Sequence, residues 1–216
     1  MRLPDSATEL CDRLILGADQ ALRTIFADPA DSGRPDPSAS TATDTINDSE
    51  RRKAARLMRV NHSGEVCAQA LYQGQATTSR NPELRRQLQR ASDEENDHLR
   101  WCAGRLQQLQ ANKSLLNPFW YASSFILGAT AGALGDRWNL GFLAETENQV
   151  VAHLDDHLTR LPESDYASRA ILEQMKQDEA GHATEAVQRG AATLPAPVRG
   201  LMRIGSRLMT QTTYWI

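Results

Sequence analysis

The stretches "EENDH" (94–98) and "QDEAGH" (177–182) each set a carboxylate and an imidazole three residues apart, Glu95 with His98 and Glu179 with His182. Both pairs fall on the apolar stripe of a helical pattern. Leu84, Leu88 and Ala91 lead at three- and four-residue steps into Glu95 and His98, and Cys102 and Leu109 continue the line. Leu172 and Met175 precede the second pair, and Ala186 follows it. A buried ionisable group is costly unless it is paired or bound to a metal. A chain that buries two such pairs is therefore confined to folds in which helices meet around a shared polar centre.

Two more helices carry a single interruption of the same kind. On one, Leu140, Ala144, Glu147, Val151, Leu154 and Leu158 share a stripe. Glu145 lies about 200° around that helix from Glu147, which leaves Glu147 as the inward group. On the other, "NHSGEVCAQALYQGQ" (61–75) sets Glu65 among Ser63, Gly64, Cys67 and Ala68. A single Glu, or a single Glu-x-x-His, is usually solvated, and Asp93, Glu94 and Asp97, off the stripe, are read that way. The ordered set of Glu, Glu-x-x-His, Glu, Glu-x-x-His, each on its own helix, is not explained so. Side chains three apart lie on one helix face, so four carboxylates and two imidazoles can enclose two metal ions whose charge offsets the acids. Imidazole with carboxylate suits iron or manganese, and the Cys/His tetrahedron of structural zinc is not on offer. His153, six residues after Glu147, is a candidate to orient a ligand, and His62 reads as exposed or as a hydrogen-bonding partner.

Strand patterns are scarce, so the fold class is all-α. An amphipathic helix over residues 8–26 precedes a Pro-, Ser- and Asp-rich stretch over 27–50 that reads as a flexible linker. The bundle follows over 51–216. Its helices run about 51–79, 82–111 and 118–161, the last interrupted where Gly135 and Gly141 mark a break, then 163–189 and a terminal helix about 197–210. The first fifty residues hold ten acidic side chains against four arginines, whereas the whole chain carries a net charge of −3. Without a strong positive balance, or a basic run interleaved with aromatics, a nucleic-acid partner is disfavoured. Cys11, Cys67 and Cys102 show no C-x-x-C spacing and read as small apolar fillers in a reducing cytosol. No apolar run follows Arg2, so no secretory signal is expected.

Two segments are suited to a membrane surface without crossing it. The apolar run over 119–134 has 16 residues, short of the ~20 that span a bilayer, and opens with Phe119, Trp120 and Tyr121, which suit an interface. The "GATAG" at 128–132 is a weak signal of close helix packing. In the terminal helix, Arg199, Arg203 and Arg207 line one side, and Val198, Leu201, Met202, Leu208 and Met209 fill the other. No acidic residue follows Glu185. Such a helix fits an anionic lipid surface, against the alternative that it covers the bundle or pairs with a second copy.

"MRVNHSGEVCAQALYQGQ", "EENDHLRWC", "ETENQVVAHLDDHL", "DEAGHA" and the closing "YWI" together resemble the bacterial 5-demethoxyubiquinone hydroxylases of ubiquinone biosynthesis. The resemblance covers about residues 51–216 and implies a ferritin-like four-helix bundle with additional membrane-facing helical segments, about 117–144 and 197–210. By matched position it implies Glu65, Glu95, His98, Glu147, Glu179 and His182 as ligands of two iron ions, Fe2+ when reduced. The implied reaction is hydroxylation of a 2-polyprenyl-3-methyl-6-methoxy-1,4-benzoquinol by O2, the penultimate step of the pathway, at the cytoplasmic face of the bacterial inner membrane. NADH is the candidate electron donor, and a homo-oligomer or a biosynthetic complex is a candidate assembly. A ring C–H does not exchange, so acid–base residues alone cannot install a hydroxyl, and no G-x-G-x-x-G follows a strand to bind a flavin or nicotinamide in this chain. The competing readings are a ferritin-like ferroxidase, which accounts for neither the apolar segment nor the cationic tail, and a non-enzymatic quinone- or lipid-binding scaffold.

Overall fold

The structure, a computed structural model, describes residues 7–29 and 32–216, with side chains from residue 15 onward. The side chain of Cys11 lies outside the described residues. The described chain is helical throughout, without a strand. Its helices are α1 (Ala7–Phe26), α2 (Asp48–Thr78), α3 (Pro82–Gln108), α4 (Asn117–Ala133), α5 (Asp136–Arg160), α6 (Tyr166–Gln188) and α7 (Ala196–Thr213). Local sequence sets the starts. Asn47 accepts from the backbone of Ser49 and Glu50 while the Glu50 carboxylate accepts from the Asn47 N–H, a reciprocal cap on α2. Asn81 caps α3, with Pro82 in its first turn.

Gly135, at φ 101°, makes the break between α4 and α5, in a region that L side chains rarely adopt. Gly141 does not share in that break. It lies inside α5, where a Cβ would strike the carbonyl oxygen of Ala192, so its smallness serves a close approach instead of a turn.

Helices α2, α3, α5 and α6 bury two apolar clusters. One contains Leu57 and Met58 of α2, Trp101 and Leu106 of α3, Leu154 and Leu158 of α5, and Ile171 and Met175 of α6. The other contains Tyr72 of α2, Leu84 and Leu88 of α3, Leu140 and Leu143 of α5, and Ala186 of α6. Every helix passes from one cluster to the other, and α4 carries the chain across so that α3 and α5 run the same way. Residues 65, 95–98, 147 and 179–182 occupy the belt between the clusters.

Helix α4 lies along α2 at close range. A Cβ on Gly128 would meet the carbonyl oxygen of Leu71, and one on Gly74 would meet that of Phe125. The Thr78 hydroxyl donates to the Ala129 carbonyl at 2.8 Å. This packing corrects the expectation for two aromatics. Phe119 is 62% exposed, but Trp120 and Tyr121 are buried. Trp120 Nε1 donates to Thr213 Oγ1 of α7 at 3.0 Å, and the Tyr121 hydroxyl donates to Gln73 Oε1. Both rings have a polar tip that finds a partner inside the protein, which decides for burial.

In the stretch expected to be a flexible linker, Ser32, Arg34 and Asp44 instead bond to α3 and α6. Arg105, buried in α3, reaches Asp44 at 2.6 Å, Asp165 at 2.8 Å and the Ser168 hydroxyl at 2.8 Å. A short 3-10 turn at Pro37–Ser40 is capped by Asp36. Composition suggests flexibility here, but a buried guanidinium needs acids, and Asp44 supplies one.

Among the described residues no helix is long and apolar enough to cross a membrane. Helix α7 turns Leu201, Ile204 and Leu208 outward, each more than half exposed. On its arginine side, expected at a lipid surface, Arg203 and Arg207 are exposed and border a cavity of about 670 Å³ together with His153, His157 and Arg160 of α5 and Tyr214, and Arg199 buries an Nε that has no hydrogen-bond partner among the described residues.

Candidate metal centre

Glu65, Glu95, His98 and Glu179 each offer one donor atom, and these four atoms lie within 4.8 Å of one another. All four residues are buried. His98 Nδ1 stands 3.2 Å from Glu95 Oε2, 3.2 Å from Glu179 Oε1 and 3.7 Å from Glu65 Oε2. His182 faces the same group from α6, with Nδ1 3.4 Å from Glu95 Oε1 and 3.2 Å from Glu179 Oε2. Glu147 is buried beside them, and the buried Tyr72 hydroxyl donates to its Oε1 at 2.7 Å. A narrow gap between α2 and α5, lined by Ala68, Leu71, Tyr72, Leu143 and Glu147, reaches this edge of the cluster.

The two imidazoles are held by exchange. His98 Nε2 meets Asp178 Oδ2 of α6 at 2.9 Å, and His182 Nε2 meets Glu94 Oε2 of α3 at 2.8 Å. Each acid immediately precedes the Glu of one pair and grips the His of the other. With Nε2 so tied, Nδ1 is the atom each ring presents inward, and the carboxylates fix its orientation. Glu94 thus departs from the solvated reading: it is half exposed, yet bonded to a ring of the cluster. Asp97 departs further, being buried and accepting from the Ser32 hydroxyl. Tyr72 was missed as well. The acid before each Glu was the available signal for Asp178 and Glu94, since neighbours ~100° apart on a helix point at adjacent helices.

His153 is not among the residues of the cluster: its ring lies 3.9 Å from that of His157, and its Nε2 has no hydrogen-bond partner among the described residues. His157 Nδ1 bonds to Asn61 Oδ1 at 2.9 Å. His62 is fully buried, with Nδ1 at 3.5 Å from the Asn117 amide.

Burial and the neighbouring charges set the protonation of the cluster. Burial, then the Glu95 charge, raises the Glu65 carboxyl well above its ordinary value. Burial, then Glu179 and Glu95, does the same to Glu147. Burial opposes ionisation of Glu95 too, but His98 and His182 outweigh it and hold that carboxyl low. Against burial, Glu95, Asp178 and Glu179 raise His98 well above the usual imidazole value, and Glu179 with Glu95 push His182 up to about 12. Protons are held where cations would otherwise balance the acids. Glu95 Oε1, which has His182 Nδ1 3.4 Å away but no hydrogen bond of good geometry among the described residues, and the two inward Nδ1 atoms give this donor set the chemistry of a metal site: hard oxygens with borderline nitrogens.

An all-helical bundle whose buried belt offers four carboxylates and two imidazoles defines a class, proteins equipped to hold metal between their helices. Residues 52–213 match the family described as Ubiquinone biosynthesis protein COQ7, and the chain belongs to that family. It is 57% identical over 205 residues to a protein of Nitrosomonas europaea, covering 95% of this chain and 98% of that one. A Nitrosospira multiformis protein gives the same identity and coverage. A protein of Aromatoleum aromaticum is 56% identical over 207 residues, covering 96% of this chain and all of its own length. All three relatives are named 3-demethoxyubiquinol 3-hydroxylase.

Proposed function

We propose that this chain hydroxylates the ring of a 2-polyprenyl-3-methyl-6-methoxy-1,4-benzoquinol with O2, the penultimate step of ubiquinone biosynthesis. The reading assigns Glu65, Glu95, His98, Glu147, Glu179 and His182 as ligands of two iron ions in a ferritin-like bundle. The observation that carries it is the buried belt of acids and imidazoles between two apolar clusters, in a chain of this family. Iron bound there supplies the activation of dioxygen that no side chain provides.

The protein's own residues prepare the site. The apolar clusters above and below the belt exclude water and strengthen every charge interaction within it. Asp178 and Glu94 hold the two imidazoles with Nδ1 inward. Tyr72, its phenol kept protonated by burial and by the Glu147 charge, donates to Glu147 and fixes that carboxylate. His98, His182, Glu65 and Glu147, whose affinity for protons burial and mutual contact raise, would give up those protons to hold iron, which makes metal affinity dependent on pH.

A polyprenyl tail places the substrate in a bilayer, and the exposed apolar side chains of α7, with Phe119, Ile126 and Leu127 of α4, suit peripheral attachment to the cytoplasmic face of the inner membrane. NADH is the electron donor in this reading. Quinone profiling of a strain lacking the chain tests the assignment. Demethoxyubiquinone is expected to accumulate and to be cleared by the wild-type protein but not by Glu147→Ala. Clearance by Glu147→Ala, or no accumulation, rejects it.

A further inference from the structure

The arm between α1 and α2 does more than cover the bundle. Arg34 NH2 lies 2.6 Å from Asp178 Oδ2, the same oxygen that meets His98 Nε2 at 2.9 Å. Gln174 Nε2 donates to the other oxygen, Asp178 Oδ1, at 3.0 Å. The Arg34 guanidinium also stacks over the Trp101 ring, 4.8 Å from its centroid, and the Trp101 ring lies 5.4 Å from that of His98. One guanidinium therefore reaches His98 along two routes, through a carboxylate and through an indole.

Arg34 is itself held in place. Arg100 donates to its carbonyl oxygen, and its N–H donates to Ser32 Oγ at 3.1 Å, whose hydroxyl donates in turn to the buried Asp97. The other imidazole has no such support. Glu94, which holds His182, is 53% exposed at its side chain, against 15% for Asp178, and among the described residues neither Lys nor Arg pairs with it.

We propose that Arg34 is a positioning residue for the metal centre: it clamps Asp178, and through Asp178 it fixes the ring of His98, so that the arm sets the affinity and geometry of the His98 side of the site. The proposal rests on the reading of the cluster as a metal centre. A charged, stacked guanidinium restricts the carboxylate to one rotamer, and a carboxylate so restricted restricts the ring. An Arg serves here where a Lys serves less well, because the planar guanidinium can lie over the indole while one of its N–H groups donates to the acid.

The test is titration of the full-length, metal-free protein with Co2+, following the visible ligand-field bands and competing with a chelator. Wild type is expected to take up two ions per chain. Arg34→Gln should bind one of them about tenfold more weakly with an altered band shape, and Arg34→Lys should recover part of the affinity but not the wild-type spectrum. In an Asp178→Asn background the effect of Arg34→Gln should fall to a small residue, what the Trp101 contact alone transmits, whereas in a Glu94→Gln background its effect should remain in full. Helical content by circular dichroism confirms that each variant is folded. Wild-type binding and spectrum in Arg34→Gln, or an undiminished effect of Arg34→Gln without Asp178, overturns the role of Arg34 and leaves the metal centre standing. Failure of the wild type itself to bind Co2+ overturns the metal centre, and the proposal with it.

Discussion

The histidines divide into two populations by what surrounds them. His98 and His182 sit among carboxylates and are raised far above the ordinary imidazole value. His62, His153 and His157 lie outside the carboxylate cluster, and burial lowers them to about 3, 4 and 2, against the opposing charge of Asp156 in the case of His153. The depressed group makes a claim on stability. His157 is neutral when folded but takes a proton below about pH 6.5 when unfolded, so the unfolded state binds more protons there and stability falls as pH drops below that value. For metal-free protein the stability that wild type holds over His157→Gln should shrink by about 1.4 kcal/mol between pH 7.5 and 5.5, read from urea denaturation. A difference that stays constant over that range contradicts the burial of a neutral ring. At this scale the six inward residues were legible because each interrupts an apolar stripe. Glu94 and Asp178 left only a faint mark, an acid one place before each inward Glu, and Asp97 left none, since its partner Ser32 lies on the arm outside the bundle's stripes.

The helices show the same contrast between pattern and contact. The stripes of α3, α5 and α6 are continuous in sequence because each helix crosses the belt from one apolar cluster to the other. The arm was illegible for the opposite reason. Its Pro, Ser and Asp composition is that of a solvated segment, yet Arg34 and Asp44 each meet a charge on the bundle. Tyr121 and Trp120 were likewise read by type, and their hydroxyl and N–H partners on α2 and α7 decided otherwise. The close pairing of α2 and α4 was visible only as a weak small-residue spacing. Its strength can be measured by two substitutions of opposite sign. Gly128→Ala drives a methyl group into the Leu71 carbonyl and should cost about 1–3 kcal/mol, whereas Gly104→Ala meets nothing within 4 Å and should stabilise α3 by about 0.5–1 kcal/mol. Equal thermal midpoints for the two would contradict the packing described.

The whole molecule joins a water-excluding centre to an apolar exterior. Leu201, Ile204 and Leu208 of α7, Phe119, Ile126 and Leu127 of α4, and Ile15, Leu16 and Phe26 of α1 are all more than half exposed. An enzyme whose substrate resides in lipid has a use for such surfaces. Wild-type protein should float with phosphatidylglycerol vesicles at low salt, and Leu201→Asp with Ile204→Asp should release it; wild type left in the soluble fraction contradicts docking.

The proposed function rests at the centre on charge: four buried carboxylates, Glu65, Glu95, Glu147 and Glu179, in a helical core call for compensating cations. Elemental analysis of anaerobically purified protein after incubation with Fe2+ and removal of excess tests this most directly. Two irons per chain in the wild type, with loss from Glu179→Ala and His182→Ala, is the predicted result. A wild-type chain that retains no iron, or a Glu179→Ala chain that retains both, contradicts it.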